Sequence, residues 1–316
     1  KFCNVRKVLL TGATGFIGRH CVASLLAQGY EVHGVSRRSV RESISDGVQW
    51  HVADLLSPAD VRRVVAEVQP SHLLHLAWQV VPGKWAANTS TESLVWVQAS
   101  LEVLRQFSEA GGIRVVMVGS CTEYDWNLGY CSELSTPRNP HSFYGVCKNA
   151  LQAVAEAYAN RAGVSSAWAR VFFLYGPHEH PARLVSSVIL SLIRSEQARC
   201  SHGNQIRDYL HVEDVADALV ALLSSDVRGP VNIASGRPVT VRNIVRKIAE
   251  RLGRSDMVKF GAIPVSEGEY PFVIGDVRRI NREVGWEPRY DLDTGLEQTI
   301  SWWIKESATA THVATK

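Results

Sequence analysis

The chain has 316 residues, 46% hydrophobic and 21% charged, which is globular composition and excludes a disordered or fibrous protein. Its 34 basic residues nearly balance 31 acidic ones for a net charge of +3, so the broad basic surface of a nucleic-acid binder is excluded. No apolar run reaches the ~18 residues of a membrane span, and Cys3, Cys21, Cys121, Cys131, Cys147 and Cys200 form no CxxC pair. Reduced thiols in the cytoplasm are therefore expected, not disulfides or a zinc framework. His178 and His180 make an HxH without a third ligand at zinc-like spacing, so no metal is expected.

The first predicted strand, Lys7–Leu10, runs into Thr11-Gly12-Ala13-Thr14-Gly15-Phe16-Ile17-Gly18, and a helical pattern follows to Gln28. Glycine permits a tight turn and close approach of the backbone to a pyrophosphate, and the following helix points free N–H groups at it. Strand, glycine turn and helix in that order are the context a dinucleotide fingerprint requires. The second strand, Glu31–Val35, ends in Ser36-Arg37-Arg38. An acid there would hold a ribose 2′-hydroxyl, whereas two guanidinium groups suit a 2′-phosphate, so NADP(H) is favoured over NAD(H).

Val48–Val52 predicts a third strand, with Asp54 and Leu55 beside the adenine. A helix over Pro58–Val68 and a strand over His72–Leu76 follow, the latter laying Leu76, Ala77 and Trp78 along the cofactor. A helix over Glu92–Ala110, a strand over Arg114–Val118, a helix over Phe143–Arg161 and a strand over Ala167–Phe173 continue the rhythm. Such alternation predicts an α/β fold, a Rossmann-type doubly wound parallel sheet, with ligands at the carboxyl ends of its strands.

After Tyr175 the rhythm breaks. A helix over Leu184–Ser195, a strand and helix across Tyr209–Ser224, and Gly- and Pro-rich pieces including Gly229-Pro230 predict a smaller C-terminal lobe of loops and short helices. The Rossmann domain is expected over residues 1–175, with 205–235 returning to it and the lobe interleaved over 176–316. A final helix near Leu292–Lys305 carries Trp302 and Trp303 as packing residues, and Glu306–Lys316 is expected to fray.

Tyr144 and Lys148 stand one helical turn apart, and Ser120 follows the fifth strand at the same sheet edge. A ketone becoming an alcohol needs a proton on oxygen. A tyrosine can give it, an ammonium nearby lowers the phenol's pKa, and a serine hydroxyl can hold the oxygen. Ser120, Tyr144 and Lys148 are the candidate catalytic residues.

These motifs, with Arg170–Pro177, Arg207–Val212 and Gly285-Trp286-Glu287-Pro288, make the chain resemble the extended short-chain dehydrogenases/reductases of the NAD-dependent epimerase/dehydratase family. The resemblance implies a nucleotide-sugar substrate, a homodimer through two helices per subunit, and Arg207, Arg183 and Arg278 lining the substrate lobe. Thr122 stands where the resembled dehydratases carry an acid, and Glu123, one residue on, is expected to face away. Dehydration is therefore disfavoured. Phe173 and Gln98 replace asparagines frequent in the family, and Phe173 with Thr122 joins the substrate-side candidates.

The reading expected is an NADPH-dependent reductase of a nucleotide-linked 4-keto-(6-deoxy)sugar. The alternative is a nucleotide-sugar epimerase with retained NAD(P). A dehydratase, or a non-catalytic dinucleotide-binding protein, ranks below both.

Overall fold

The computed structural model describes residues 6–40, 46–79, 91–265 and 269–314; Cys3 and the terminal Thr315 and Lys316 lie outside them. In chain order come β1 (Lys7–Thr11), α1 (Gly18–Ala27), β2 (Glu31–Ser36), β3 (Val48–Val52), α2 (Pro58–Val68), β4 (His72–His75), α3 (Glu92–Glu109) and β5 (Arg114–Ser120). Next are β6 (Tyr130–Cys131), α4 (Phe143–Ala162), β7 (Ser165–Val171), β8 (Phe173–Tyr175), α5 (Leu184–Ile193), β9 (Ala198–Arg199) and β10 (Ile206–His211). The chain closes with α6 (Val212–Ser224), β11 (Gly229–Ile233), β12 (Pro238–Thr240), α7 (Val241–Arg251), β13 (Val258–Lys259), β14 (Phe272–Gly275) and α8 (Leu292–Ala314).

Seven parallel strands form the main sheet in the order β11-β7-β5-β4-β1-β2-β3. The chain winds outward from β1 in one direction and from β4 in the other. That reversal opens a crevice at the carboxyl ends of the two strands. Helices cover both faces. Cys21, Val22 and Leu25 of α1 share one core with α6, and α2, α3 and α4 build the other. Local signals start and stop these helices. For α2, the Ser57 hydroxyl accepts from the Asp60 N–H, Pro58 opens the first turn, and left-handed Gln69 ends it. Its Val61, Val64, Val65 and Val68 recur at helical spacing and are buried, each worth about 1.5–3 kcal/mol.

A second sheet, β12-β10-β14-β6 with β8 beside β10, forms a wall next to the carboxyl edge of the first. Helices α5, α7 and α8 pack a core of their own around Ile189, Ile244, Ile248 and Trp303.

Four sequence expectations need correction here. The strand expected over Ala167–Phe173 is two: β7 stays in the main sheet, while β8 leaves it to pair with β10. Gly229-Pro230 is not a loop but the start of β11. As an edge strand β11 has only β7 beside it, so proline's missing N–H costs no ladder bond on the open side. The lobe holds long helices, because the apolar residues of α7 (Val241, Ile244, Val245, Ile248) repeat at helical period. Finally, α8 runs on to Ala314 instead of fraying after Lys305. No glycine or proline interrupts that stretch, and alanine at 308, 310 and 314 favours helix. Trp302 and Trp303 do pack: their rings meet edge to face 4.7 Å apart, and His178 lies 4.4 Å over Trp302. Among the described residues no helix is long and apolar enough to cross a membrane.

Candidate functional site

A cleft of about 610 Å³ follows the carboxyl edge of the main sheet. Its lining begins at Gly12, Gly15, Phe16, Ile17 and Gly18, passes Leu76, Ala77, Trp78, Tyr144, Lys148 and Ser120, and ends at Phe173, Arg183 and Tyr209. Residues from seven separate stretches of sequence thus meet in one groove.

The first end is made of backbone. Gly12 sits at φ +69°, and a Cβ there would lie 2.9 Å from the Ala77 nitrogen. A Cβ on Gly18 would lie 2.1 Å from the Gly12 carbonyl oxygen. Thr11 fixes this junction from below. Its hydroxyl accepts from the Leu76 and Ala77 N–H groups at 3.2 Å and pairs with His75 Nδ1 at 2.8 Å. The other His75 nitrogen meets the Ser100 hydroxyl on α3 at 2.9 Å. Burial, then the nearby Lys148 charge, push the His75 pKa down to about 3, so this bridge is neutral. From outside, Arg19 donates to the Thr14 and Gly15 carbonyls.

These residues fit a dinucleotide. The cradle has no room for a side chain, α1 begins without a side-chain cap, and its first turn holds no acid, leaving the positive helix end for an anion. The register Leu10↔Gly34 puts Ser36 one strand across from Gly12, with Arg37 and Arg38 exposed just beyond it. Ala53 N–H donates to the Ser36 carbonyl, which sets Asp54 at the same edge. Thr14, Ser36, Arg37, Arg38, Asp54 and Leu55 nevertheless do not line the cleft. The Asp54 carboxylate accepts from Leu56 N–H, and the Leu55 side chain turns into the core with Val61 and Val64 because α2 packs beneath it.

At mid-cleft the Tyr144 hydroxyl is hydrogen-bonded to Ser120. Ser142 starts α4 by accepting from Gly145 N–H at 3.1 Å, which orients the first helical turn and Tyr144 with it. Ser120 closes β5 and caps the short turn Cys121–Glu123; its oxygen accepts from Thr122 N–H and the Thr122 hydroxyl, the latter at 3.0 Å. Lys148 donates to the Val118 carbonyl at 2.8 Å and lies 3.7 Å over the Trp78 ring. Its burial pulls the ammonium pKa down to about 7, against the pull of Glu123. Burial, followed by the Glu123 charge, raises the Tyr144 phenol above its ordinary value, while the Ser120 hydrogen bond and Arg183 oppose the rise. This differs from the expected lowering by lysine: Lys148 is turned to a carbonyl and an indole face, and burial dominates the phenol.

Glu123 faces away from the cleft and is wholly buried. Its carboxylate accepts from Ser120 N–H at 2.7 Å, Trp168 Nε1 at 3.0 Å and Arg170 Nε at 2.7 Å. It serves as a brace under the serine.

The far end is made of side chains. The Phe173 ring stands between Trp126 at 6.1 Å and Tyr209 at 5.7 Å. Arg183 precedes α5, and Glu179 lies in the wall with its carboxyl bonded by the Ser186 hydroxyl at 2.6 Å. Two expected substrate residues are elsewhere. Arg207 is buried and paired with Glu269, and its guanidinium lies 5.4 Å from the ring of the lining residue Phe173 without itself lining the cleft. Arg278 is largely exposed, held by Asp276 two residues earlier. Glu179, Trp126, His180 and Tyr209 line the cleft without having been predicted. Only the tyrosine carried a signal, two residues past Arg207.

The family model for the NAD dependent epimerase/dehydratase family matches residues 8–234. A UDP-glucose 4-epimerase of Mycolicibacterium smegmatis is 28% identical over 95% of this chain and 99% of its own. UDP-glucuronic acid decarboxylase 1 of Xenopus tropicalis is 26% identical over 95% of this chain and 73% of its own. Among solved structures, MoeE5 in complex with UDP-glucuronic acid and NAD is 31% identical, covers 95% of this chain and 99% of its own, and superposes with a TM-score of 0.81. The UDP-glucose 4-epimerase of Thermotoga maritima with UDP-glucose, at 23% identity, 95% and 99% coverage and a TM-score of 0.87, shows the shared fold.

Proposed function

Because the chain belongs to the NAD-dependent epimerase/dehydratase family of nucleotide-sugar enzymes, we propose that it is an NADPH-dependent reductase of a nucleotide-linked 4-keto-6-deoxysugar. The observation that carries this reading is the hydrogen bond between Tyr144 and Ser120 at the middle of a cleft that begins at the glycine turn. When bound, the dinucleotide supplies the two electrons and the hydrogen that the ketone carbon gains. Tyr144 gives the proton to the ketone oxygen, and Ser120 donates to that same oxygen as its charge grows. Burial keeps the phenol protonated at neutral pH, which suits a proton donor in the direction of reduction. Lys148 supports the phenolate left behind and bonds the nicotinamide ribose.

Gly12, Thr14, Gly15, Phe16, Ile17 and Gly18 hold the pyrophosphate; Leu76, Ala77 and Trp78 flank the cofactor. Ser36, Arg37 and Arg38 take the 2′-phosphate, which favours NADP(H), and Asp54 borders the adenine. Arg183 meets the diphosphate of the sugar nucleotide, with Phe173 and Thr122 along the sugar. The lobe within 176–316 closes over that end. Dehydration is disfavoured, since Thr122 carries no acid and Glu123 is sealed in the core. Exposed Leu94 and Val95 on α3 with Val146 and Val154 on α4 offer an apolar face for a homodimer. Among the described residues, five free, buried cysteines suit the reducing cytoplasm.

A second reading, an epimerase that oxidises and re-reduces one carbon, is favoured by the named epimerase relatives. Mixing the protein with NADPH and a panel of nucleotide 4-keto-6-deoxysugars separates the two. Stoichiometric loss of nicotinamide absorbance is expected; sugar conversion without that loss establishes the epimerase, and the absence of both changes overturns both readings.

A further inference from the structure

Glu179 is a carboxyl in the cleft wall that none of the steps above uses. Its residue is 5% exposed, and it follows Gly176-Pro177-His178 in the segment that leads into α5. From α5 the Ser186 hydroxyl bonds it at 2.6 Å, and the Ser186 backbone adds a weaker contact. Arg183, at the helix start, is the cation whose field reaches it. From β10 the phenol of Tyr209 feels its charge, and Tyr209 is in turn within the fields of Arg207, Arg183 and Glu269. His178 and His180, on either side in sequence, are exposed.

Among the described residues, the lysine and arginine side chains of the lining are Lys148, at mid-cleft, and Arg183, at the far end; the imidazole of His180 lines it too. A diphosphate at the far end draws on Arg183, the cation whose field also reaches Glu179. That guanidinium then faces two anions, the diphosphate and the Glu179 carboxylate. A buried carboxylate whose cation has been drawn to another anion is disfavoured, and it can relieve the conflict only by taking up a proton. Once protonated it keeps its bond with Ser186 and no longer repels the phosphates.

We propose that Glu179 is a specificity-determining residue for the sugar-nucleotide diphosphate, admitting that dianion only with uptake of one proton onto its own carboxyl. This rests on the nucleotide-sugar reading. The direction is set by the ligand-free protein, where burial outweighs Ser186 and Arg183 and raises the Glu179 pKa to about 7. Bound diphosphate raises it further. Between about pH 7 and the bound pKa, each unit of rising pH then weakens binding roughly tenfold, because the proton needed becomes scarcer.

The test uses the full chain and four sugar nucleotides, UDP-glucose, dTDP-glucose, GDP-mannose and CDP-glucose, whose diphosphate diesters do not titrate between pH 6 and 9. The tightest is titrated calorimetrically at pH 6 to 9, in phosphate and in Tris at pH 8. The expected result is a falling affinity above pH 7 and uptake approaching one proton at pH 8. In Glu179→Gln, which retains an acceptor for Ser186, affinity is expected to be flat with pH and the proton count near zero. Lys148 also titrates near neutrality. A pH slope and proton uptake that persist in Glu179→Gln assign the effect to another group of the cleft, Lys148 or His180, and overturn the inference while leaving the nucleotide-sugar reading intact. The wild-type proton count stands on its own: binding without proton uptake overturns the inference whatever the variant does. Failure of all four sugar nucleotides to bind at pH 6 overturns the inference and the underlying reading together.

Discussion

The two ends of the cleft do the same kind of task with different materials. At the first end an anion site is made by backbone: a glycine turn, a helix start, and a buried Thr11–His75 bridge beneath them. At the far end it is made by long side chains, Arg183, Glu179, Phe173 and Tyr209, drawn from three elements. A backbone site tolerates almost no change in shape but is indifferent to pH. A side-chain site can be retuned one residue at a time, and its charges titrate. Tyr144 stands where the two meet.

Five measurements would break or sharpen that contrast. The largest effect is expected at the junction: Tyr144→Phe should lower turnover roughly 10²–10⁴-fold while cofactor binding, set by the backbone end, changes little. Unchanged turnover would remove Tyr144 from the chemistry. Next, Glu123→Gln should cost about 3–5 kcal/mol in denaturant unfolding, because it leaves Arg170 buried without its charge partner. Loss below about 1 kcal/mol would mean the brace under Ser120 is dispensable.

Gly18→Ala should weaken dinucleotide binding roughly 10- to 100-fold, since its methyl group would have to displace the Gly12 carbonyl. Equal loss of sugar-nucleotide affinity would show that the two ends are not separable. Replacing Arg37 and Arg38 together with alanine should weaken NADPH about tenfold or more while sparing NADH. Parallel losses for both would argue against a 2′-phosphate contact. The smallest effect concerns pH. Lys148 has a native pKa of about 7 against an ordinary 10.5. The unfolded chain therefore holds more protons between those values, so stability should rise as pH increases from 7 towards 10.5. Lys148→Met should flatten that part of a chemical-denaturation profile.

The contrast also explains what the sequence disclosed. The backbone end was legible because φ > 0 and close approach demand glycine, and Gly12, Gly15 and Gly18 are adjacent in sequence. The main sheet was legible for the same local reason: each strand reads as a short apolar run, and β3 and α2 came out to the residue. Tyr144 and Lys148 declared themselves by sharing one helical face. The far end stayed hidden because its members are brought together only by tertiary pairing. β8 reaches Tyr209 by leaving the main sheet for β10, a departure no periodicity announces. Glu179 is written like any surface acid between two histidines, and only the packing of α5 buries it. Arg207 is the converse case. A motif named it, but Glu269, sixty-two residues away, claims its guanidinium.

The histidine bridge ties the glycine turn to a helix that looks remote from it. One imidazole nitrogen of His75 answers to Thr11, whose hydroxyl sets the Ala77 amide against the glycine turn; the other answers to Ser100 on α3. Sliding α3 along its axis by a fraction of an ångström would strain a chain of three short contacts that ends at the coenzyme cradle. The outward side of that same helix carries Leu94 and Val95. A load on that outward side would reach the glycine turn through those same three contacts.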